Sequence, residues 1–242
     1  MKAVILAGGL GKRLRPLTDH VPKAMLPIRG RPIIDLIIKN LRSAEINRFI
    51  IVTGYLSEQI RQHLRKEDIT FVKQEEPLGS GDALRSAIPL LKGDFVVTAS
   101  DTLLPVDHIR KLIDLHLGKD CDATLSLKRL SDKEIVNSST VLLRKDSIVR
   151  IIEKPSREEI LSNISACPFY IFNDRIKDYL PRIKKSKRGE YELTSAIQLM
   201  IDDGLRVKGL LTKEWFHLSN LEDFLKVNFD YPDRYWLFSV SR

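Results

Sequence analysis

The sequence predicts an α/β fold, a three-layer α/β/α sandwich built on a mainly parallel mixed sheet. Three observations carry this. Short apolar, β-branched runs alternate with helical patterns as far as Ala99, the first of those runs breaks directly into glycines, and after Leu117 the pattern becomes closely spaced alternating runs. Strands separated by helices pair in parallel, because a parallel connection needs a crossover, and the crossover helices cover the faces of the sheet. With 242 residues, 43% hydrophobic and 30% charged, the chain can bury a large core, which excludes a disordered or fibrous protein.

Lys2 to Ala7 is a compact apolar run ending at Gly8-Gly9 and reads as a buried strand. From Pro32 to about Ile46, Ile33, Ile34, Ile37, Ile38 and Leu41 recur at helical spacing behind a proline suited to a first turn. Phe49 to Val52 is a second strand, Leu56 to Leu64 an amphipathic helix, and Ile69 to Val72 a third strand. A helix from about Asp82 to Leu91 leads to the strand Phe95 to Ala99, which runs straight into Ser100-Asp101. Alternating runs follow at Ala123 to Lys128, Thr140 to Leu143, Ile148 to Ile152 and Cys167 to Phe172, the pattern of sheet extension. Helices at Asp174 to Ile183 and Glu192 to Asp202, a strand at Val207 to Leu211 and a helix at Asn220 to Asn228 complete the body.

No linker divides the chain, so one domain over 1–242 is expected. Its halves are about 1–117 and 118–229, with an aromatic tail, 230–242, packing on the body or on a neighbouring subunit. No hexapeptide repeat occurs, so no acyltransferase β-helix is expected. Forty Lys and Arg against 32 Asp and Glu give a charge of +8, which favours anionic partners without choosing among phosphorylated metabolites, nucleic acid and membrane surfaces. Two cysteines, Cys121 and Cys167, exclude a disulfide scaffold and fit a reducing cytosol. The opening apolar run is too short for a signal peptide, and none approaches the ~20 residues of a membrane helix. A cytoplasmic protein is therefore expected. His20, His63, His108 and His116 read as surface or helix-face residues.

The segment Leu6-Ala7-Gly8-Gly9-Leu10-Gly11-Lys12-Arg13-Leu14-Arg15-Pro16-Leu17 places three glycines and three cations directly after the first strand. At the carboxyl edge of a parallel sheet, glycines bring backbone amides close to phosphate oxygens while Lys and Arg neutralise charge. The spacing is neither the dinucleotide-binding fingerprint nor the common NTPase loop. Taken alone, it also reads as a flexible basic loop. Val21-Pro22-Lys23-Ala24-Met25-Leu26-Pro27 follows within about ten residues.

Together, the pattern Gly-Gly-x-Gly-x-Arg-Leu, then Pro-Leu, then Pro-Lys resembles the sugar-1-phosphate nucleotidyltransferases, the nucleoside-diphosphate-sugar pyrophosphorylases. The resemblance extends along the chain. Gln74 with Leu78-Gly79-Ser80-Gly81 is similar to the family's base-recognition loop, Ser100-Asp101 to its Gly-Asp metal motif, Glu153-Lys154-Pro155 to its Glu-Lys-Pro element, and Glu190-Tyr191-Glu192-Leu193-Thr194 to its Glu-Ile-Thr segment. It implies the Rossmann-like fold of nucleotide-diphospho-sugar transferases and attack by a sugar-1-phosphate oxygen on the α-phosphorus of a nucleoside triphosphate, expelling pyrophosphate.

The implied catalytic residues are Arg13, Lys23, Asp101 and Lys154. Arg13 would hold the departing β and γ phosphates, Lys23 would offset charge at the α-phosphate, and Lys154 would neutralise the incoming sugar phosphate. The nucleotide would lie on Leu6, Ala7, Gly8, Gly9, Gly11, Lys12 and Arg13, with the base at Gln74, Gly79, Ser80 and Gly81. Glu153 and Glu192 would accept hydrogen bonds from sugar hydroxyls beside Lys154. Asp101 would ligate Mg²⁺. The base loop favours UTP or dTTP, with GTP open, and the partner sugar is a hexose-1-phosphate. No nucleic acid or membrane is implied, a homo-oligomer is compatible, and Thr140 stands where the family often has a glycine near the sugar. The basic run Lys184 to Arg188 reads as a solvated face.

One element departs from the pattern. Where the family has Trp-x-Asp-x-Gly-Thr, this chain has Trp215-Phe216-His217-Leu218-Ser219-Asn220, so that His217 replaces the second metal carboxylate. An imidazole suits Mn²⁺ or Co²⁺ better than Mg²⁺. Ser100 replaces a glycine and Lys12 a threonine, both milder changes. The departure at His217 motivates an alternative: a catalytically weak relative that binds a sugar nucleotide and regulates or scaffolds a partner. A nucleic-acid or membrane binder is a third reading.

Overall fold

The computed structural model describes residues 1–118 and 121–230. β1 (Lys2–Ala7) is followed by a small hairpin, β2 (Pro27–Ile28) and β3 (Arg31–Pro32). Its turn is made by Arg29 and Gly30, both at positive φ. α1 (Ile33–Ser43), β4 (Arg48–Thr53), α2 (Ser57–His63), β5 (Ile69–Lys73), α3 (Ser80–Ala87), β6 (Phe95–Ala99), β7 (Thr102–Leu103) and α4 (Val106–Gly118) complete the first half. β8 (Ala123–Arg129), α5 (Asp132–Ile135), β9 (Ser139–Arg144), β10 (Ser147–Glu153), β11 (Ile164–Phe172), α6 (Ile176–Tyr179), α7 (Leu193–Asp202), β12 (Val207–Leu211), β13 (Phe216–His217) and α8 (Leu221–Asp230) follow. The expected aromatic tail after Asp230 lies outside the described residues.

Three predicted helices end early, each for a local reason. α1 stops at Ser43 because Glu45 turns left-handed, at φ 67. The Glu45 and Ile46 amides then donate back to Arg42 and Leu41 at 2.9 and 3.0 Å. Ile46 keeps its helical-looking position only as the apolar contact beyond that cap. Pro89 converts the end of the predicted Asp82 to Leu91 helix into a single 3-10 turn, and Pro181 does the same to Asp174 to Ile183.

The strands form a nine-stranded sheet in the order β5-β4-β1-β6-β11-β8-β12-β10-β9. β5, β4, β1 and β6 pair in parallel, as do β8 and β12, and among the nine only β11 and β10 run against the rest. Along β1 the side chains alternate: Ala3, Ile5 and Ala7 join the cluster under α1, α2 and α4, while Val4 joins that under α3, α6 and α7. The sheet is therefore covered on both sides, and the mainly parallel three-layer expectation holds. Its consequence for function lies at one edge, where Ala7 and Thr53 end opposite each other, Ala99 ends opposite Leu6, and Gly8, Gly54 and Ser100-Asp101 are released into neighbouring loops.

His108 and His116 differ from expectation. They lie on α4 but face inward, 8% and 3% exposed, where His108 Nε2 meets Ser126 Oγ at 2.9 Å and His116 Nδ1 meets Thr124 Oγ1 at 3.0 Å. Burial, aided by Lys111, pushes the His108 imidazole down from 6.5 to about 4. Burial also lowers His116, against the opposing pull of Asp94. Below about pH 6.5 the unfolded chain protonates His108 while the folded one does not until about pH 4, so stability declines through that window. The expected loss from His108 is about 3 kcal/mol by pH 4. Urea melts of wild type and His108→Gln between pH 7 and 4 check this; an equal acid loss in both would refute it.

Candidate active site

The phosphate-binding candidates gather at the carboxyl end of β1. Gly11 sits at φ 62, and a Cβ there would come within 2.9 Å of Thr18 Cγ2. Its carbonyl accepts from the Leu14 amide at 2.8 Å and the Thr18 hydroxyl at 2.9 Å, which closes the turn carrying Lys12 and Arg13. Lys23 comes from a second tight turn behind Pro22. Gly9, Gly11, Lys12, Arg13 and Lys23 then line one cavity of about 230 Å³, with Leu6 and Asp101 also in its wall. Ala7 is buried beside it and contributes backbone position rather than contact.

Asp101 leaves the end of β6 and sits between two donors. Lys23 Nζ forms an ion pair with its Oδ2, and His217 Nε2 lies 3.4 Å from the same oxygen. The Thr102 hydroxyl meets Oδ1 at 3.2 Å. Burial alone raises the Asp101 carboxyl, but Lys23 and His217 outweigh it and hold the group well below the usual carboxylate range. β13 pairs antiparallel with β7, with His217 opposite Thr102, and the Leu218 amide donates to the Asp101 carbonyl at 3.0 Å. The imidazole thus stands against Asp101, where the resemblance places a carboxylate, with the local backbone paired in place.

These donors are a poor fit to Mg²⁺, which favours carboxylate and phosphate oxygens in octahedral array. The metal set implied by the resemblance, Asp101 with His217, contains one carboxylate, and one of its oxygens is already shared by an ammonium and an imidazole. Among the described residues no group of three His, Cys, Asp or Glu is arranged to hold a metal ion.

The base-recognition candidates have structural work of their own. Gln74 is 6% exposed, and its Nε2 donates to the Gly79 carbonyl at 3.2 Å and to Asp82 Oδ2 at 2.9 Å. Its amide nitrogen is therefore committed within the protein. A Cβ on Gly8 would lie 2.7 Å from Gln74 Oε1, so Gly8 lets the first loop close on this side chain. Gly81 donates to the Tyr191 carbonyl at 2.8 Å, the Tyr191 amide donates to Leu78 at 2.7 Å, and the Leu193 amide donates to Ser80 Oγ at 3.0 Å. The Gly79-Ser80-Gly81 turn is thus laid against the segment that carries Glu192.

Glu153, Lys154 and Glu192 meet in a second cavity of about 560 Å³, together with Thr194 and Arg188. Burial, reinforced by Glu192, pushes the Glu153 carboxyl up to about 7, with the Thr194 hydroxyl 3.3 Å from Oε2. Burial also raises Glu192, partly offset by Arg188, whose Nη1 lies 3.7 Å from Oε1. Glu192 precedes α7 but makes no side-chain cap, so it is not simply a first-turn acid. Lys154 adopts φ 45, and its amide donates to the Ser138 carbonyl at 2.6 Å. Its ammonium is lowered by burial and by the nearby charges of Arg188 and Arg13. Arg13 belongs electrostatically to both cavities. It also lines a third space of about 510 Å³ beside Trp215 and His217.

Two expectations change here. Arg188, at the end of a run read as solvated, pairs with Glu190 and reaches Glu192. The glycine and acids directly after it are the signal that could have singled it out. Thr140 is fully buried, donates to the Ser162 carbonyl and accepts the Leu161 and Ser162 amides, so its hydroxyl is spent on loop closure. Tyr170 was not anticipated: it is buried on β11, and its phenol is raised by burial and by the charges of Glu153, Cys167, Glu192 and Asp101. No local pattern distinguishes it from a core tyrosine.

The sequence matches the family model described as nucleotidyl transferase over residues 2–234. It is 32% identical over 231 residues to the bifunctional protein GlmU of Methanococcus maripaludis, covering 94% of this chain and 54% of that protein. The chain thus spans about half the length of such relatives. It is 31% identical over 221 residues to UTP–glucose-1-phosphate uridylyltransferase AglF of Haloferax volcanii, covering 89% of each. Its fold is similar to a UDP-glucose pyrophosphorylase crystallised with UDP-glucose, at TM-score 0.84 and 22% identity, covering 95% of this chain and 97% of that one. A putative glucose-1-phosphate thymidylyltransferase from Bacillus anthracis gives TM-score 0.82 at 23% identity, covering 95% and 94%. A family match along nearly the whole chain, with relatives of this identity, means that the protein belongs to the nucleotidyl transferase family.

Proposed function

We propose that the chain transfers a nucleotidyl group from a nucleoside triphosphate to a hexose-1-phosphate, releasing pyrophosphate and an NDP-sugar. The observation that carries this is a pair of chemically complementary cavities, linked by Arg13, which lines the first and whose charge acts on Lys154 in the second. One presents Lys12, Arg13 and Lys23 at the glycine-rich end of β1, and the other pairs Glu153 and Glu192 with Lys154 and Arg188. The first suits a polyanion, and the second suits a polyhydroxylated group carrying one phosphate.

Arg13 holds the departing pyrophosphate and Lys23 offsets charge at the α-phosphate. Lys154, with Arg188, screens the incoming monoester from the triphosphate, whose mutual repulsion is the main obstacle to in-line attack. That monoester is already an anion at neutral pH, so no general base is needed. Gly79, Ser80, Gly81 and Gln74 shape the base pocket, with UTP or dTTP favoured and GTP the alternative; a uridylyltransferase relative supports this order. Pyrophosphate release measured across UTP, dTTP, GTP and ATP with a panel of hexose-1-phosphates tests the assignment. Turnover with none of them refutes it. Nucleotide binding without turnover supports the alternative of a sugar-nucleotide-binding regulatory relative, which the His217 substitution motivates.

Glu153 supplies a further expectation. A carboxyl titrating near pH 7 costs the folded state stability once ionised, because the unfolded chain ionises it from about pH 4.5 upward. Glu153→Gln is expected to stabilise the protein by about 3 kcal/mol at pH 8 and to leave stability unchanged at pH 4. The same variant loses an acceptor for sugar hydroxyls, so KM for the sugar phosphate rises. Thermal melts at the two pH values, alongside sugar-phosphate titrations, check both halves.

A further inference from the structure

Members of this family generally work with a divalent metal such as Mg²⁺. The donor set here departs from that need through a continuous column of side chains. Lys128 Nζ lies 4.9 Å from the centroid of the Trp215 ring, Trp215 stacks on His217 with centroids 5.3 Å apart and planes at 29°, and His217 abuts Asp101 Oδ2. Lys23 forms an ion pair with the same carboxylate oxygen. The imidazole is therefore held by stacking, by the β13–β7 pairing and by the carboxylate it faces. Among the described residues, Asp101 is the sole carboxylate in the wall of the cavity at the end of β1, against Lys12, Arg13 and Lys23.

We propose that this chain neutralises bound triphosphate with its own side chains, Lys12, Arg13 and Lys23, and that the column ending in His217 keeps Asp101 as their counter-ion rather than as a metal ligand. The proposal deepens the functional reading above and rests on it. A cavity neutralised in this way binds nucleotide with little dependence on free divalent ion, whereas one built around a metal ligand loses affinity when the ion is removed. Lys12 is then a binding cation specific to this arrangement.

The test is isothermal titration of UTP, dTTP, GTP and ATP into the full chain, first in excess EDTA and then in excess MgCl₂. For whichever nucleotide binds, the two dissociation constants are expected to agree within about threefold. Lys12→Thr should weaken binding in EDTA by about tenfold, the loss of one close cation from a phosphate site. In the absence of nucleotide, wild type should leave the paramagnetic signal of free Mn²⁺ intact, while His217→Asp should reduce it. A tenfold or greater loss of wild-type affinity in EDTA overturns the proposal, as does stoichiometric Mn²⁺ capture by wild type without nucleotide. Either result leaves the nucleotidyl-transfer reading standing. Failure to bind any nucleotide in both buffers overturns the two together. The wild-type comparison decides the matter even where a variant fails to fold.

Discussion

Lys23→Met is expected to lower turnover by about a hundredfold or more while leaving the fold in place, the scale seen when one preorganised charge is removed from a transition state. Lys23 faces two ways. It lines the cavity proposed to hold triphosphate, and it is the partner of a carboxylate whose side chain is only 17% exposed. Removing it leaves Asp101 in contact with His217, with Lys12 and Arg13 elsewhere in the same cavity wall, and restores part of the cost of burying that charge. Because the pair is not fully enclosed, the expected stability loss is modest, about 2 kcal/mol. Adding Asp101→Asn to Lys23→Met should recover most of that stability, since the orphaned charge is gone, and none of the turnover. Recovery of turnover in the double variant would show that Lys23 acts only by holding Asp101.

Gly79→Ala is expected to be the most damaging single methyl group in the chain. Gly79 sits at φ 108, a conformation essentially closed to side chains, and a Cβ there would stand 2.7 Å from the Tyr191 carbonyl oxygen and 2.9 Å from its nitrogen. Backbone cannot yield as a flexible side chain does. Relief requires parting the Leu78–Gly81 turn from Tyr191, which breaks the hydrogen bonds linking the base loop to the start of α7. Strain and lost bonds together predict a cost of about 3 kcal/mol, roughly 6 to 12 °C in melting temperature for a chain of this size. Since Glu192 is carried by the displaced segment, affinity for nucleotide and for sugar phosphate should fall together. Gly189→Ala is the control: it has φ 77 but nothing within 4 Å of its Cβ, so it should cost only about 1 kcal/mol. Equal effects from the two changes would remove the close packing against Tyr191 from the explanation.

Local chemistry made much of the molecule legible from its residues alone. The β-branched runs that became β1, β4 and β6 bury nearly every residue, and a short, uninterrupted apolar run bounded by turn formers has few alternatives to a central strand. Glycines beside cations at the end of β1 pointed to the cavity proposed to hold phosphate, because positive φ and close backbone approach are demands a sequence states openly. Glu153 and Lys154 stand out by their likeness to the family's Glu-Lys-Pro element. What tertiary structure alone decided involves partners far apart in the chain. β12 inserts between β8 and β10, Arg188 reaches Glu192, the Tyr170 phenol is buried where carboxylate charge raises it further, and Gln74 spends its amide on Gly79 and Asp82. His108 and His116 turn inward because β8 offers buried hydroxyls that no helical pattern on α4 could announce. Periodicity reports which face of an element is apolar, but not which distant group will satisfy a polar side chain, and that second question decides whether His217 completes a metal site or pins a carboxylate.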